Sequence, residues 1–215
     1  MNRKSFLLFF LTLVLILIFI LAQDESDADV QIYKSNIMGT SYSVTIHSKV
    51  DSQNTFFQVS NILNEINQDM STYIDNSLIS RVNQSEIGQW TKVSKDFIEV
   101  LNYAIEICNQ SKGVYDVSIG KLVNLWGFGP DNVNSKPSKD DINYLTSQVG
   151  CDSVQTNVDS QSVRKVRDVE LDFSSIAKGF AIDKVYEFLV NKEEIESFFI
   201  ELGGEVRSTS RKSNS

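Results

Sequence analysis

The sequence predicts one packed domain that mixes α-helices with β-strands. Three observations carry that expectation. Hydrophobic residues make up 41% of the 215 and charged residues 22%, with only 2 prolines, which is the balance of a globule with a buried core. Apolar and polar residues alternate near both ends of the chain, as on half-buried strands, and between those stretches apolar residues recur every three or four positions, as on helices. The length suits one substantial domain and leaves too little for a comfortable second core.

Taken in order, the elements begin behind an N-terminal segment. Arg3 and Lys4 precede a largely apolar run over 6–22, the basic start and greasy centre of an export signal. Its length lies between a cleavable signal and a minimal membrane span, so a removed leader and an anchor both fit. No Cys directly follows the run, at Leu21, Ala22 and Gln23, so a lipid anchor gets no support. Residues 23–29 are acidic and small, a linker, and the domain is expected over 30–215.

From Gly39 to His47, Tyr42, Val44 and Ile46 alternate with Ser41, Ser43 and Thr45, a strand with a hydroxyl-rich outer face. Val59, Ile62, Leu63, Ile66 and Met70 form one apolar stripe on a helix that stops near Ser71. Phe97, Leu101, Ala104, Ile105 and Cys108 form a second, with Ser94 as N-cap and Gly113 as terminator. Residues from Pro130 to Asp141 read as a surface loop. Val169, Leu171 and Phe173 alternate as a strand running through Ser174 and Ser175 into a helix bearing Ala181, Val185, Phe188 and Leu189. A last strand, Phe198 to Leu202, is closed by Gly203 and Gly204, after which no apolar periodicity is visible.

Charge and motif content exclude several functions. A formal net charge of -8 with no basic stripe argues against a nucleic-acid partner. No P-loop, GxGxxG, HExxH or GxSxG occurs. The one histidine, His47, is expected to be an exposed strand residue. Cys108 and Cys151 form neither a CxxC pair nor a zinc knuckle, and either a disulfide or two separate thiols, with Cys108 in the core, remains open.

The junction Glu170–Gly179, ELDFSSIAKG, has the most chemical content. A helix beginning directly after a strand directs unpaired N–H groups and its positive dipole end at one spot, which suits a phosphate, and Lys178 adds a full charge. The plain alternative for Ser174 and Ser175 is an ordinary N-cap. Asp172 at the strand end can accept from a ribose hydroxyl or an adenine amine; its plain alternative is helix capping. In Gly113–Pro130, Trp126 and Phe128 can wall a flat ring or simply pack.

Five blocks in series, MGTSYSVTI from Met38, MSTYIDNSLISRVN from Met70, GVYDVSIGKLVNLWGFGP from Gly113, ELDFSSIAKGFAIDKV from Glu170 and FFIELGGEVR from Phe198, resemble the ApbE family of FAD:protein FMN transferases. The resemblance implies an α+β domain of the T-fold type. It implies FAD contacts at Met38, Tyr73, Val114, Tyr115, Asp116, Asp172 and Lys178, a backbone carbonyl of Ser175 on Mg2+, and transfer of FMN from FAD to a Ser or Thr hydroxyl of a target protein, with loss of AMP. Tyr at position 73 goes with transfer rather than FAD hydrolysis in that family. The implied partners are FAD and membrane redox proteins outside the cytoplasm.

After Arg207 the family's further strands and its late metal-binding Asp and Thr have no counterpart in Ser208–Ser215. An FAD pyrophosphatase giving FMN and AMP, and an inactive flavin-binding remnant, are therefore carried as alternatives. The strand at Phe198–Leu202 is expected to be left with an open edge.

Overall fold

The computed structural model describes residues 29–131 and 136–210, so the N-terminal apolar segment and nearly all of the linker lie outside the described residues. Thirteen elements are described. They are β1 (Asp29–Ile37), β2 (Thr40–Ser48), α1 (Gln53–Met70), α2 (Leu78–Gln84), β3 (Thr91–Lys92), α3 (Lys95–Gln110), α4 (Gly120–Leu125), α5 (Lys139–Gln148), β4 (Val154–Asn157), β5 (Ser162–Lys165), α6 (Ala177–Val190), β6 (Ile195–Leu202) and β7 (Glu205–Ser210). This is a mixed helix-and-sheet fold. None of the described helices is long and apolar enough to cross a membrane.

The main sheet has the order β1-β2-β6-β7, with every neighbouring pair antiparallel. The alternation read in β2 is realised: Tyr42, Val44 and Ile46 are buried on one face, together with Phe198, Ile200 and Leu202 of β6. Helices α1 and α6 pack on that face and on each other. Their buried stripes, Val59, Leu63, Ile66 and Met70 on α1 and Ala181, Ile182, Val185 and Leu189 on α6, close the core. Each of these side chains other than Ala181 contributes about 1.5–3 kcal/mol relative to exposure, enough to outweigh weak local propensities. Phe97 of α3 meets Phe173 with ring centroids 5.0 Å apart, which joins the second sheet, β3-β5-β4, and its helix to the same core.

Several expectations are corrected. β6 is not left open, because β7 pairs along it from Leu202–Glu205 to Ser197–Ser210 across a Gly203–Gly204 turn with both φ positive. Ser208 and Thr209 carry no apolar signal because β7 is an edge strand held by its backbone and by Arg207, which ion-pairs with Asp183 and lies 4.1 Å over the Tyr186 ring. The stretch from Val169 to Phe173 makes no ladder; its one bridge is Ile119 to Glu170. Asn83 stands in for a neighbouring strand, accepting from Leu171 N at 2.7 Å and donating to Leu171 O at 2.9 Å, while Asp172 N donates to Val117 O at 2.8 Å. The backbone is satisfied without a sheet.

The loop expected up to Asp141 ends earlier, since Ser138 caps α5 by accepting from Asp141 N at 3.1 Å; residues 132–135 within it lie outside the described residues. Ser94 caps α3 as expected, accepting from Phe97 N at 3.0 Å. The helix ends at Gln110 with Ser111 as its C-cap, and the left-handed residue that follows is Lys112, with φ of 57°, next to Gly113, whose φ is also positive. Lys112 N donates to Asn109 O and Gly113 N to Cys108 O, the paired bonds of a Schellman cap. Cys108 and Cys151 are joined in a disulfide, with Cα atoms 5.6 Å apart. His47 lies on the outer face of β2 and is half-buried rather than exposed.

Candidate functional site

The hairpin between β1 and β2 turns on Met38 and Gly39, with φ of 50° and 71°. Two left-handed residues in succession make the tight turn whose twist matches antiparallel strands. Gly39 takes that conformation freely, whereas Met38 holds it at a steric cost. The turn sets Met38 in the wall of a cavity of about 600 Å³, together with Asn67 and Met70 from the end of α1, Ser71, Thr72, Tyr73 and Ile74 after it, and Ser174, Ala177 and Lys178 at the start of α6.

A second cavity of about 340 Å³ shares Thr72 in its wall and is lined chiefly by Asp75, Asn83, Gln84, Asn124, Glu170 and Asp172. The two lie along one stretch of chain: Glu170, Leu171 and Asp172 face the second, and Ser174, Ala177 and Lys178 face the first. This gives an elongated cleft with an apolar and hydroxyl-bearing end and an acid-and-amide end.

The junction is built differently from the plain reading of its serines as N-caps. Ile176 occupies the N-cap of α6, no side chain caps the helix, and its first turn carries no acidic residue. Asp172 is buried, and its Oδ1 accepts from Ser174 N at 2.7 Å and from the Ser174 hydroxyl. That bond pair fixes the turn into α6 and leaves Ser174 and Ser175 exposed. The Lys178 side chain enters no hydrogen bond or ion pair among the described residues. An uncapped helix start and an uncommitted ammonium thus face the same cavity, a combination that attracts anionic oxygen.

The loop after α3 borders the junction rather than the cavities. Tyr115 is half-buried, and its hydroxyl lies 3.3 Å from Ser175 Oγ; Asp116 Oδ1 accepts from Ser118 N at 2.8 Å; Val114 is 92% exposed. The expected residues therefore fall into two groups. Met38, Tyr73 and Lys178 share the larger cavity, with Asp172 in the adjoining wall, while Val114, Tyr115, Asp116 and Ser175 line neither cavity, Tyr115 and Ser175 meeting beside the junction. Trp126 and Phe128 are exposed, and the Phe128 carbonyl accepts from the Tyr73 hydroxyl at 3.0 Å, which joins this loop to the cavity wall.

At the acid end, burial pushes the Glu170 carboxyl above the usual range, against the pull of Lys121 and Lys165. Asn124 Nδ2 donates to Glu170 Oε2 at 3.2 Å. Gly120 N donates to Glu170 O at 2.8 Å, an approach so close that a Cβ at position 120 would lie 2.8 Å from that oxygen. Buried Lys165 donates to Asn83 O, and desolvation lowers its pKa. Asn83 and Asn124 were not singled out from the sequence, and Glu170 was read only as the first residue of the junction, because single polar residues far apart along the chain give no local signal of a shared wall.

Among the described residues, no three His, Cys, Asp or Glu side chains converge to hold a metal ion. Mg2+ requires near-octahedral oxygen ligation, which the Ser175 carbonyl alone does not supply. The described residues do not complete the Mg2+ site that the resemblance implies.

The chain and its fold are similar to known proteins. The ApbE family pattern matches residues 38–215. The FAD:protein FMN transferase of Haemophilus influenzae is 34% identical over 197 residues, 87% of this chain and 57% of that protein. The FAD:protein FMN transferase of Vibrio cholerae is 31% identical over 192 residues, again 87% of this chain and 57% of the relative. The solved flavin transferase ApbE of Vibrio cholerae superposes with a TM-score of 0.77 at 31% identity, over 84% of this chain and 59% of that one. The apo flavinyl transferase ApbE of Pseudomonas stutzeri gives 0.80 at 26% identity, over 88% and 64%. The chain thus spans little more than half the length of these relatives, and it belongs to the ApbE family.

Proposed function

We propose that this chain holds FAD in the cleft and serves the transfer of its FMN half to a Ser or Thr hydroxyl of a target protein. The observation that carries the reading is the convergence of Met38, Tyr73 and Lys178 on one cavity whose wall continues through Ser174 to Asp172. In the reaction the hydroxyl oxygen attacks the phosphorus that bears the riboflavin moiety, the bond from that phosphorus to the bridging oxygen breaks, and AMP leaves with the electron pair. The attacking hydroxyl gives up its proton to water.

Lys178 and the uncapped N–H groups of α6 favour the pyrophosphate charge, an electrostatic contribution that counts most in a water-poor cleft. The second carboxylate oxygen of Asp172 is left to accept from a ribose hydroxyl or adenine amine, while Met38, Tyr73 and Ile74 offer apolar surface to the ring system. Tyr115, with Val114 and Asp116 as its chain neighbours, bounds the site from the side of Ser175.

The same reading places the chain on the outer side of a cytoplasmic membrane, with exported redox proteins as acceptors. The disulfide supports it, since such bonds persist in oxidising compartments.

The test combines the purified chain with FAD, Mg2+ and a candidate acceptor protein, and reads the acceptor by intact mass. A gain equal to one FMN, with AMP released, supports transfer. Free FMN and AMP with an unlabelled acceptor would replace it with FAD hydrolysis. FAD retained intact under all conditions, with and without Mg2+, would reduce the function of the chain to flavin binding.

A further inference from the structure

The disulfide sits at the root of the loop that borders the site. Cys108 is 1% exposed at the end of α3, and its carbonyl accepts from Gly113 N at 2.8 Å and from Ser111 Oγ at 3.1 Å, which starts the loop in its turned course. Ser111 Oγ in turn accepts from Tyr115 N at 3.1 Å. At the other end of the loop, buried Ser118 accepts on its hydroxyl from Gly150 N at 3.2 Å, and Gly150 adjoins Cys151. The two ends of the loop are therefore joined to each other through Cys108–Cys151, Gly150 and Ser118, closing a ring around Val114, Tyr115 and Asp116.

The ring is anchored on the far side too. Ser153 N donates to Gly150 O, Val166 N donates to Ser153 O, and Arg167 pairs with Asp152. The turn at 149–153 is thus fixed to the segment that follows β5, and the disulfide is the one covalent link from that anchor to the end of α3. Cys151 is only partly buried, so a thiol reagent has a face to attack. The loop's own hold on the junction is slight: a hydroxyl contact of 3.3 Å from Tyr115 to Ser175 and the bond from Asp172 N to Val117 O.

We infer that the Cys108–Cys151 disulfide is a redox-responsive tie that positions the 113–118 loop, and Tyr115 in particular, against the Ser174–Ser175 junction, so that its reduction weakens flavin binding. The inference rests on the flavin reading above. A dithiol supplies two electrons and two protons to the S–S bond, leaving thiols at Cys108 and Cys151 and the reductant as its own disulfide. Opening the tie removes the covalent restraint on the ring while the sheet and its two helices, which hold Met38, Lys178 and most of the core, stay in place.

The experiment compares the full chain in oxidised form, after reduction by dithiothreitol, after reoxidation, and as the Cys108→Ser/Cys151→Ser double variant. Amide hydrogen exchange and FAD titration are both read. Exchange should rise in 111–118 and 149–153 while β2 and β6 stay protected, FAD should bind about fivefold or more weakly, the lower end of ordinary coupling between two sites, and reoxidation should restore both. Reduction should have little further effect on the affinity of Tyr115→Ala, because the wall it loosens is already gone; an equal loss in that variant would show general softening and overturn the positioning role. Unchanged exchange in 111–118 after reduction would overturn the tie itself. Absence of FAD binding by the oxidised chain would overturn the flavin reading instead, and the exchange pattern would still decide the tie. Should the double variant fail to fold, the reduction and reoxidation of the unaltered chain carry the same outcomes.

Discussion

The Tyr73 hydroxyl donates to the Phe128 carbonyl at 3.0 Å, across 55 positions of sequence, and so closes the rim between the end of α1 and the aromatic loop after α4. Both residues are well exposed, which limits what the bond adds to stability to about 0.5–1.5 kcal/mol. Tyr73→Phe is expected to leave FAD affinity within about twofold and lower stability by less than about 1 kcal/mol, because the ring remains in the wall. Tyr73→Ala removes that surface and should weaken FAD binding by about tenfold, the equivalent of 1.4 kcal/mol. Calorimetric titration of both variants checks the order; equal losses would show that the hydroxyl, not the ring, matters.

Asp172 and Lys178 face the same cleft but differ in structural duty. Asp172 holds the turn into α6 through Ser174, whereas Lys178 has no such partner. Asp172→Ala should therefore cost about 1–3 kcal/mol of folding stability along with flavin affinity. Lys178→Ala should weaken FAD binding with less than about 0.5 kcal/mol of stability change. His47→Ala, on the outer face of β2, should leave FAD affinity unaltered. Chemical denaturation and FAD titration of the three together provide the check, and a Lys178→Ala chain that binds FAD normally would remove the anion-holding role.

What the sequence revealed of this site follows from how local each signal is. The strand-to-helix junction is contiguous from Glu170 to Gly179, so its strand end, serines and lysine could be read together. The wall formed by Asn83, Asn124 and Glu170 is assembled from three separate segments and left no pattern. The same logic governs the fold: the apolar stripes of α1 and α3 announce themselves, while β7, whose Ser208 and Thr209 pair through backbone, and the Asn83 bracket around Leu171 depend on partners far away in the chain.

Asp69 gives a pH dependence with a definite sign. Its carboxylate accepts from the Ser94 hydroxyl at the start of α3, and burial, with Asp96 and Glu65 nearby, raises its pKa above the usual carboxylate range. A carboxyl raised in the folded state favours folding while protonated, and that contribution is lost as pH rises through its folded value. Asp69→Asn should therefore stabilise the chain at pH 7 to 8, raising Tm by less than about 4 °C, and converge with the parent below the ordinary Asp range. A Tm difference that is constant from pH 3 to pH 8 would show that titration plays no part.

Lys112 holds a left-handed φ of 57° at the end of α3, a conformation that costs a residue with a Cβ about 1 kcal/mol and glycine almost nothing. Lys112→Gly should stabilise the chain by about 0.5 kcal/mol, the strain relieved less the extra freedom of the unfolded glycine. Equilibrium unfolding in urea, with the slope unchanged, is the measurement.

The last expectation concerns turnover. Phosphoryl transfer needs the charge that develops on the pyrophosphate oxygens to be neutralised in the transition state, and among the described residues Lys178 and the start of α6 are the groups placed to do so. A catalytic metal ordinarily supplies several kcal/mol of that stabilisation, and each 1.36 kcal/mol is tenfold in rate. The Ser175 carbonyl by itself does not hold one, and no acidic cluster among the described residues joins it. FMN transfer by the 215-residue chain to an acceptor protein is therefore expected to be at least about a hundredfold slower than by the same chain extended with the portion of the Haemophilus influenzae relative that lies beyond the matched region, although both bind FAD. Intact-mass measurement of acceptor labelling over time, at matched FAD occupancy and Mg2+ concentration, compares the two. Equal labelling rates would mean that the cleft described here, with Lys178 and α6 alone, is sufficient for the chemistry.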